Sequence, residues 1–248
     1  MAILKARKLD YFYQDGDKLR YILKNTNVDF EQGTFYTIVG QSGSGKTTLL
    51  SLLSGLDEPK KGTVYYKNKN IKQIGLESYR RNEISIIFQH YNLIPYLTGV
   101  ENVLVPMAIT ENKLPEDHTK VAYNLLDYIG IGKDKASRIV NRLSGGEQQR
   151  VAIARALATN VDIILADEPT GNLDEEMEQE IVEIFKLLAH EHNKCVIVVT
   201  HSQEIALQSD KAFVLKKGVL KEYEWFFIKL FWWWLQRKIA KVKKRKGS

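Results

Sequence analysis

An α/β fold built on a parallel sheet is what this 248-residue chain predicts. Three observations carry that expectation. Short, mainly apolar runs recur at Phe35–Val39, Ile84–Phe88, Ile163–Ala166 and Cys195–Val199, and such runs suit parallel strands covered on both faces. Segments with apolar residues at helical spacing lie among them: Val121, Leu125, Leu126 and Ile129 in one, Ile181, Ile184, Phe185 and Leu188 in another. The first run passes directly into a glycine-rich turn, Gly40-Gln41-Ser42-Gly43-Ser44-Gly45-Lys46-Thr47.

The elements follow in order. A helix is expected from near Gly45 to near Gly55, whose missing Cβ suits a helix end. Thr63-Val64-Tyr65-Tyr66 reads as a strand. Asp117–Ile129 reads as a helix that stops at Gly130. Ser144 and Glu147 have the S-x-x-E spacing of a capping box, which opens a helix through Ala158. Glu175–His190 reads as a helix that Asp174 is placed to cap. Residues from about 90 to about 160 thus form a mostly helical insertion into the α/β core, and no internal repeat is present.

Composition narrows the class. Hydrophobic residues at 44% and charged residues at 27% are ordinary for a soluble globular protein. The single cysteine, Cys195, excludes an intrachain disulfide, and its apolar neighbours predict a buried, inert thiol. The N-terminus lacks the apolar core of a secretory signal, and no run reaches the roughly 20 apolar residues that span a bilayer. A cytosolic protein with only peripheral membrane contact is expected. The net charge of +6 is uneven: residues 225–248 hold eight basic residues and no acid, which leaves −2 (+6 less 8) on residues 1–224. A nearly neutral body argues against nucleic acid as a partner.

Two motifs carry nucleotide chemistry. The turn Gly40–Thr47 fits G-x-x-x-x-G-K-[ST] between a strand and a helix, the context of a P-loop. Its glycines let backbone N–H groups converge on phosphates, and the helix N-terminus adds donors and dipole. Lys46 supplies charge to the β- and γ-phosphates, and the Thr47 hydroxyl is placed to ligate Mg²⁺. The run Ile163–Ala166 ends in Asp167-Glu168, a carboxylate pair at the sheet's C-terminal edge. Asp167 would hold Mg²⁺, and Glu168 would polarise the attacking water. A third motif, Leu143-Ser144-Gly145-Gly146-Glu147-Gln148-Gln149-Arg150, offers a second anion-binding helix end. Two such ends in one chain suggest a nucleotide clamped between two chains.

LSGGEQQR resembles the signature sequence of ABC (ATP-binding cassette) ATPases, and other motifs of that family follow in its order. Gln89 is similar to the Q-loop glutamine, Gly171-Asn172-Leu173-Asp174 to the D-loop, and His201 to the switch histidine. Each residue alone reads as a turn, a helix cap or a surface group; their shared order and spacing carry the resemblance. Tyr13 matches the aromatic that stacks on adenine, with Tyr11 and Phe12 as neighbouring alternatives. The resemblance spans about residues 2–221. It implies a P-loop NTPase with an ABC ATPase core: a parallel sheet, a helical subdomain at about 90–160 and an antiparallel β subdomain, in a domain of residues 1–221. It further implies ATP and Mg²⁺ as cofactors, with Glu168, His201 and Lys46 catalytic. Tyr13, Gly40, Ser42, Gly43, Ser44, Gly45, Lys46, Thr47, Thr48 and Gln89 would bind nucleotide in one chain. Ser144, Gly145, Gly146 and Asp174 would do so across a head-to-tail homodimer, and Thr47, Gln89 and Asp167 would hold the metal. The partner implied is an integral-membrane permease at the cytoplasmic face of the cell membrane, contacted near His90, Tyr91 and Leu93.

The wording Ala166–Asp174 together with Phe88–Leu93 resembles the subgroup of lipoprotein-release, macrolide-efflux and antimicrobial-peptide-resistance transporters. Export and force transmission through a permease-like partner without transport both fit this motif set. Soluble DNA-repair members carry a long coiled coil between P-loop and signature, and no sustained heptads lie between Lys46 and Ser144. Translation-associated members fuse two cassettes, and this chain has one. The segment 222–248 departs from the family. It holds Trp225, Trp232, Trp233 and Trp234 ahead of a basic cluster, Arg237–Lys246, a pattern expected of a helix lying on a membrane surface or of an altered end.

Overall fold

The computed structural model describes residues 1–16, 18–171 and 173–223. The aromatic and basic tail, and Asn172 of the D-loop-like segment, lie outside the described residues.

Among the described residues, ten strands and nine α-helices alternate along the chain. They begin β1 (Ala2–Asp15), β2 (Lys18–Glu31), β3 (Phe35–Val39), α1 (Lys46–Leu53), β4 (Lys61–Tyr66), β5 (Lys69–Asn70), α2 (Ile71–Ile74), α3 (Leu76–Asn82) and β6 (Ile84–Ile87). They continue with α4 (Gly99–Ile109), α5 (His118–Tyr128), α6 (Lys133–Ala136), α7 (Gly145–Leu157), β7 (Ile163–Asp167), α8 (Glu175–His190), β8 (Cys195–Thr200), α9 (Gln203–Gln208), β9 (Lys211–Lys216) and β10 (Val219–Glu222).

Six strands form the central sheet in the order β10-β9-β3-β8-β7-β6. All its pairings are parallel except the edge hairpin β9–β10. The side-chain alternation of a strand sorts this sheet's residues into two cores. On β8, Cys195, Ile197 and Val199 face one way while Val196 and Val198 face the other. On β7, Ile163 and Leu165 oppose Ile164 and Ala166 in the same manner. One face packs on α1 and on the second sheet, through Leu4, Leu9, Leu23, Phe30, Leu49 and Leu53. The other face packs on α8 through Ile181, Val182 and Phe185. Both faces are therefore dry, which explains why β7 and β8 are buried along their whole length.

The second sheet is antiparallel, in the order β2-β1-β4-β5. A third core, with Val103, Met107, Leu126, Val151 and Ala154, unites α4, α5 and α7 into the helical insertion. This insertion enters the central sheet between its edge strand β6 and β7, so it hangs from the side of the core that bears the acidic pair.

Candidate functional site

Four loops leave the C-terminal ends of adjacent parallel strands and converge. Gly40–Gly45 follows β3, His201 follows β8, Glu168 follows β7, and Gln89 lies just after β6. The C-terminal edge of a parallel sheet is where such folds place ligands. Here it forms a cleft of about 610 Å³, lined by Tyr13, Lys46, Thr47, Gln89, Glu168 and His201 among others. Ser42, Gly43, Gly45, Thr48 and, from β2, Ile22 complete its wall.

The phosphate loop owes its shape to glycine at one position above all. Gly45 has φ +101°, and a Cβ there would lie 2.9 Å from Ile22 Cγ2. No side chain caps α1, so its first N–H groups are free to point at a ligand. Lys46 curls back over the loop: its ammonium donates to Gly40 O at 2.8 Å and Gln41 O at 3.3 Å, and sits 3.5 Å from Glu168 Oε1. Gly40 and Ser44 border an adjoining cleft that shares Ile22, Ser42, Gly43 and His201 with the first. The Ser44 hydroxyl is buried and has no hydrogen-bond partner.

The acidic pair occupies two environments. Thr47 Oγ1 donates to Asp167 Oδ1 at 3.3 Å. Burial pushes the Asp167 carboxyl above its ordinary value; the Thr47 hydrogen bond pulls it back, and the adjacent Glu168 charge adds to the rise. Glu168 adopts φ +45°, a left-handed conformation rare outside glycine. Its N–H is anchored to Val199 O at 2.9 Å. This strained turn sends the carboxylate toward the loop after β8, where His201 Nδ1 lies 2.8 Å from Glu168 Oε2 and the His201 N–H donates to the same oxygen at 3.2 Å. Backbone strain of about 1–3 kcal/mol is commonly retained where it places a reacting group.

Among the neighbouring aromatics, Tyr13 is 55% exposed and lines the cleft. Tyr11 is buried with its hydroxyl donating to Asp57 Oδ2 at 2.5 Å, and Phe12 packs against Tyr21.

The remaining candidates stand apart from this cleft. Ser144 caps α7 through a complete capping box: Glu147 N–H donates to Ser144 Oγ at 3.3 Å, and Ser144 N–H donates to Glu147 Oε2 at 2.9 Å. Gly145 and Gly146 form the bare first turn. A Cβ on Gly146 would fall 2.5 Å from Met177 Sδ, so this turn abuts the start of α8. Asp174 caps α8 by accepting the Met177 N–H at 2.9 Å. None of these four residues lines the cleft that holds Lys46 and Glu168.

The family model described as ABC transporter matches residues 23–171. This chain belongs to the ABC transporter family. It is 46% identical over 218 residues to the uncharacterized ABC transporter ATP-binding protein YclH of Bacillus subtilis, covering 88% of this chain and 95% of that protein. It is 39% identical to the lipoprotein-releasing system ATP-binding protein LolD of Rickettsia bellii, covering 88% and 97%. Among solved structures, the dimeric cassette MJ0796 of Methanocaldococcus jannaschii superposes with TM-score 0.81 at 39% identity, covering 89% of this chain and 97% of that one. A second structure of that cassette is a post-hydrolysis state bound to ADP and Pi, with TM-score 0.81, 38% identity and the same coverage.

This ABC cassette is an ATPase, with ATP and Mg²⁺ as its cofactors. Its own geometry fits both. The orphaned Ser44 hydroxyl, the uncapped α1 and the Lys46 ammonium make a cradle for anionic phosphate oxygens. Thr47 and Asp167 present hard oxygen atoms side by side. Among the described residues no group of three His, Cys, Asp or Glu could hold a metal alone. The Thr47–Asp167 pair suits Mg²⁺, which takes one or two protein oxygens and completes its shell with phosphate and water. Sequence reading missed Ile22 as a wall of the cleft. It sits on a strand of the other sheet, and only the tertiary fold brings it against Gly45.

Proposed function

We propose that this cassette powers a membrane transporter from the cytoplasmic face of the cell membrane. Two copies pair head to tail, clamp ATP between them and drive an integral-membrane permease. The observation that carries this reading is the separation of two anion-binding ends. The cleft of Lys46, Thr47 and Glu168 and the bare helix end at Ser144, Gly145 and Gly146 do not meet within one chain. A second copy brings the latter over the former. The dimeric state of the relative MJ0796 supports this arrangement. Among the described residues no helix is long and apolar enough to cross a membrane. The segment after Gln89 offers a contact for the permease, with Tyr96 75% exposed at its end. The work driven is export, with lipoproteins, peptides or antimicrobials as the cargo classes; the resemblance to the lipoprotein-releasing relative supports the first of these.

In this mechanism Lys46 exchanges its contacts with Gly40 O and Gln41 O for the β- and γ-phosphate oxygens. Thr47, Asp167 and Gln89 would hold Mg²⁺, which would supply positive charge to offset that of the phosphates. Glu168 accepts a proton from the attacking water, and His201 keeps its carboxylate oriented. Tyr13 stacks on the adenine. Ser144 and the N–H groups of Gly145 and Gly146 bind the γ-phosphate held by the other chain.

Light scattering on the Glu168→Gln chain tests this. ATP with Mg²⁺ should convert it from monomer to dimer, and adding Ser144→Arg should abolish the conversion. Undiminished ATP-dependent dimerisation with Ser144→Arg would show that the helix end does not clamp nucleotide.

A further inference from the structure

The segment that joins Gln89 to the helical insertion is held in an unusual shape. Tyr91 N–H donates to Phe88 O at 3.0 Å and closes a turn around Gln89. Tyr91 and Asn92 then follow at φ +61° and +47°, two consecutive non-glycine residues in the left-handed region. Asparagine tolerates that conformation; tyrosine adopts it only where the surroundings impose it.

The surroundings here include one side chain, Arg155, near the C-terminal end of α7. Its guanidinium donates from Nη2 to Tyr91 O at 2.7 Å and from Nη1 to Asn92 O at 2.5 Å. The left-handed turn aims both carbonyls at one planar fork, a match that arginine makes and the point charge of lysine does not. Burial lowers the Arg155 pKa, and no charged group contributes to that shift. The half-buried guanidinium gives up part of its hydration for this contact and meets carbonyl dipoles in exchange.

The same segment also touches the other end of α7. A Cβ on Gly145 would lie 3.2 Å from the Tyr91 hydroxyl. Ten residues of helix, about 15 Å, separate Gly145 from Arg155. Tyr91 is therefore pinned by its carbonyl near one end of α7 and lies by its hydroxyl against the glycine end. Two residues upstream, Gln89 lines the nucleotide cleft beside Lys46 and Glu168.

We propose that Arg155 is a positioning residue for ATP hydrolysis: it locks the Tyr91–Asn92 turn onto α7, so that Gln89 in the cleft and the glycine end of α7 move as one body. This rests on the reading of Gln89 as a ligand of the nucleotide's metal. Nothing in the P-loop depends on Arg155, so its loss should spare nucleotide affinity and impair turnover.

The test compares Arg155→Met, Arg155→Lys, Gln89→Ala and the double variant Gln89→Ala/Arg155→Met in the full chain. ATP affinity, kcat, KM and the Mg²⁺ concentration for half-maximal rate are measured. Far-UV circular dichroism and thermal midpoint report the fold. Arg155→Met should bind ATP within about twofold of the parent while kcat falls about ten- to a hundredfold, as misplacement by about 1 Å does. Arg155→Lys should fall between the two. In the Gln89→Ala background, Arg155→Met should lower kcat by no more than about twofold, because its route to the chemistry is already gone. Parental kcat in Arg155→Met, or an equal loss in both backgrounds, overturns the proposal. Should Arg155→Met not fold, Arg155→Lys in the two backgrounds decides by the same criterion. Parental kcat and Mg²⁺ dependence in Gln89→Ala would instead overturn the reading of Gln89, a result separable from any effect of Arg155.

Discussion

Replacing Glu168 by glutamine isolates one atom's chemistry from the architecture around it. The amide keeps the length and shape of the side chain. Its oxygen can still accept from His201, whose ring nitrogen and N–H lie 2.8 and 3.2 Å from Glu168 Oε2. The left-handed φ of +45° and the anchor from Glu168 N–H to Val199 O belong to the backbone and survive. The loss is confined to the negative charge and the capacity to take a proton. A positioned general base contributes about 10²- to 10⁴-fold, or about 3–5 kcal/mol of barrier at 1.36 kcal/mol per decade. Lys46, 3.5 Å from the carboxylate, is also freed of an anion that competes with the phosphates, so ATP affinity should not weaken. Steady-state phosphate release and equilibrium ATP binding, measured on purified Glu168→Gln, check both halves. The expected result is kcat reduced at least a hundredfold with unimpaired binding. A kcat within about threefold of the parent would remove Glu168 from the role of base.

Three further outcomes concern stability and accessibility. Asp174→Ala deletes the cap of α8 and should cost about 1 kcal/mol, which lowers the thermal midpoint by about 2–4 °C. An unchanged midpoint would show that the cap carries no stability. The Lys135 ammonium, 2.7 Å away, and the Ser144 N–H hold the Glu147 carboxyl below its ordinary value of 4.5. Between the lowered and the ordinary pKa the unfolded chain binds the proton and the folded chain does not, so this stabilisation is full above 4.5 and is withdrawn as pH falls through the lowered value. Urea unfolding at several acid pH values should therefore show a shallower loss for Glu147→Gln than for the parent. Finally, burial raises the Cys195 thiol pKa, and its side chain is 0% exposed. A thiol reagent should label Cys195 only on unfolding, and rapid labelling of the native protein would contradict its place in the core.

The parts of the fold most legible in the sequence are those where local pattern and tertiary packing agree. Phe35–Val39 and Glu175–His190 are found with those bounds. The first is apolar because both sheet faces are covered; the second has its cap and its apolar stripe within its own residues. Strands β1 and β2 gave no comparable signal. Much of β2 is exposed, with apolar residues only intermittently buried, and its pairing with β1 breaks register several times. That pairing depends on the rest of the domain and not on a local period. The cleft residues Lys46, Thr47 and Glu168 were legible because glycine loops and acidic strand ends are constrained by chemistry. Ile22 and Arg155 were not. Their places depend on contacts with Gly45 and with Tyr91 and Asn92, each more than twenty positions away in sequence, and neither residue type advertises such a contact.

The central claim is that each ATP is hydrolysed between two chains, and mixing two inactive chains tests it most directly. Ser144→Arg spoils the helix end but leaves the P-loop; Lys46→Ala spoils the P-loop but leaves the helix end. In a shared site, one of the two sites of the mixed dimer carries both lesions and the other carries neither. Each variant alone should be inactive as a homodimer, and forced heterodimers should recover up to about half the parental activity per dimer, since one intact site remains. Full activity of the Ser144→Arg homodimer, or no recovery in properly assembled heterodimers, would contradict hydrolysis across the two chains.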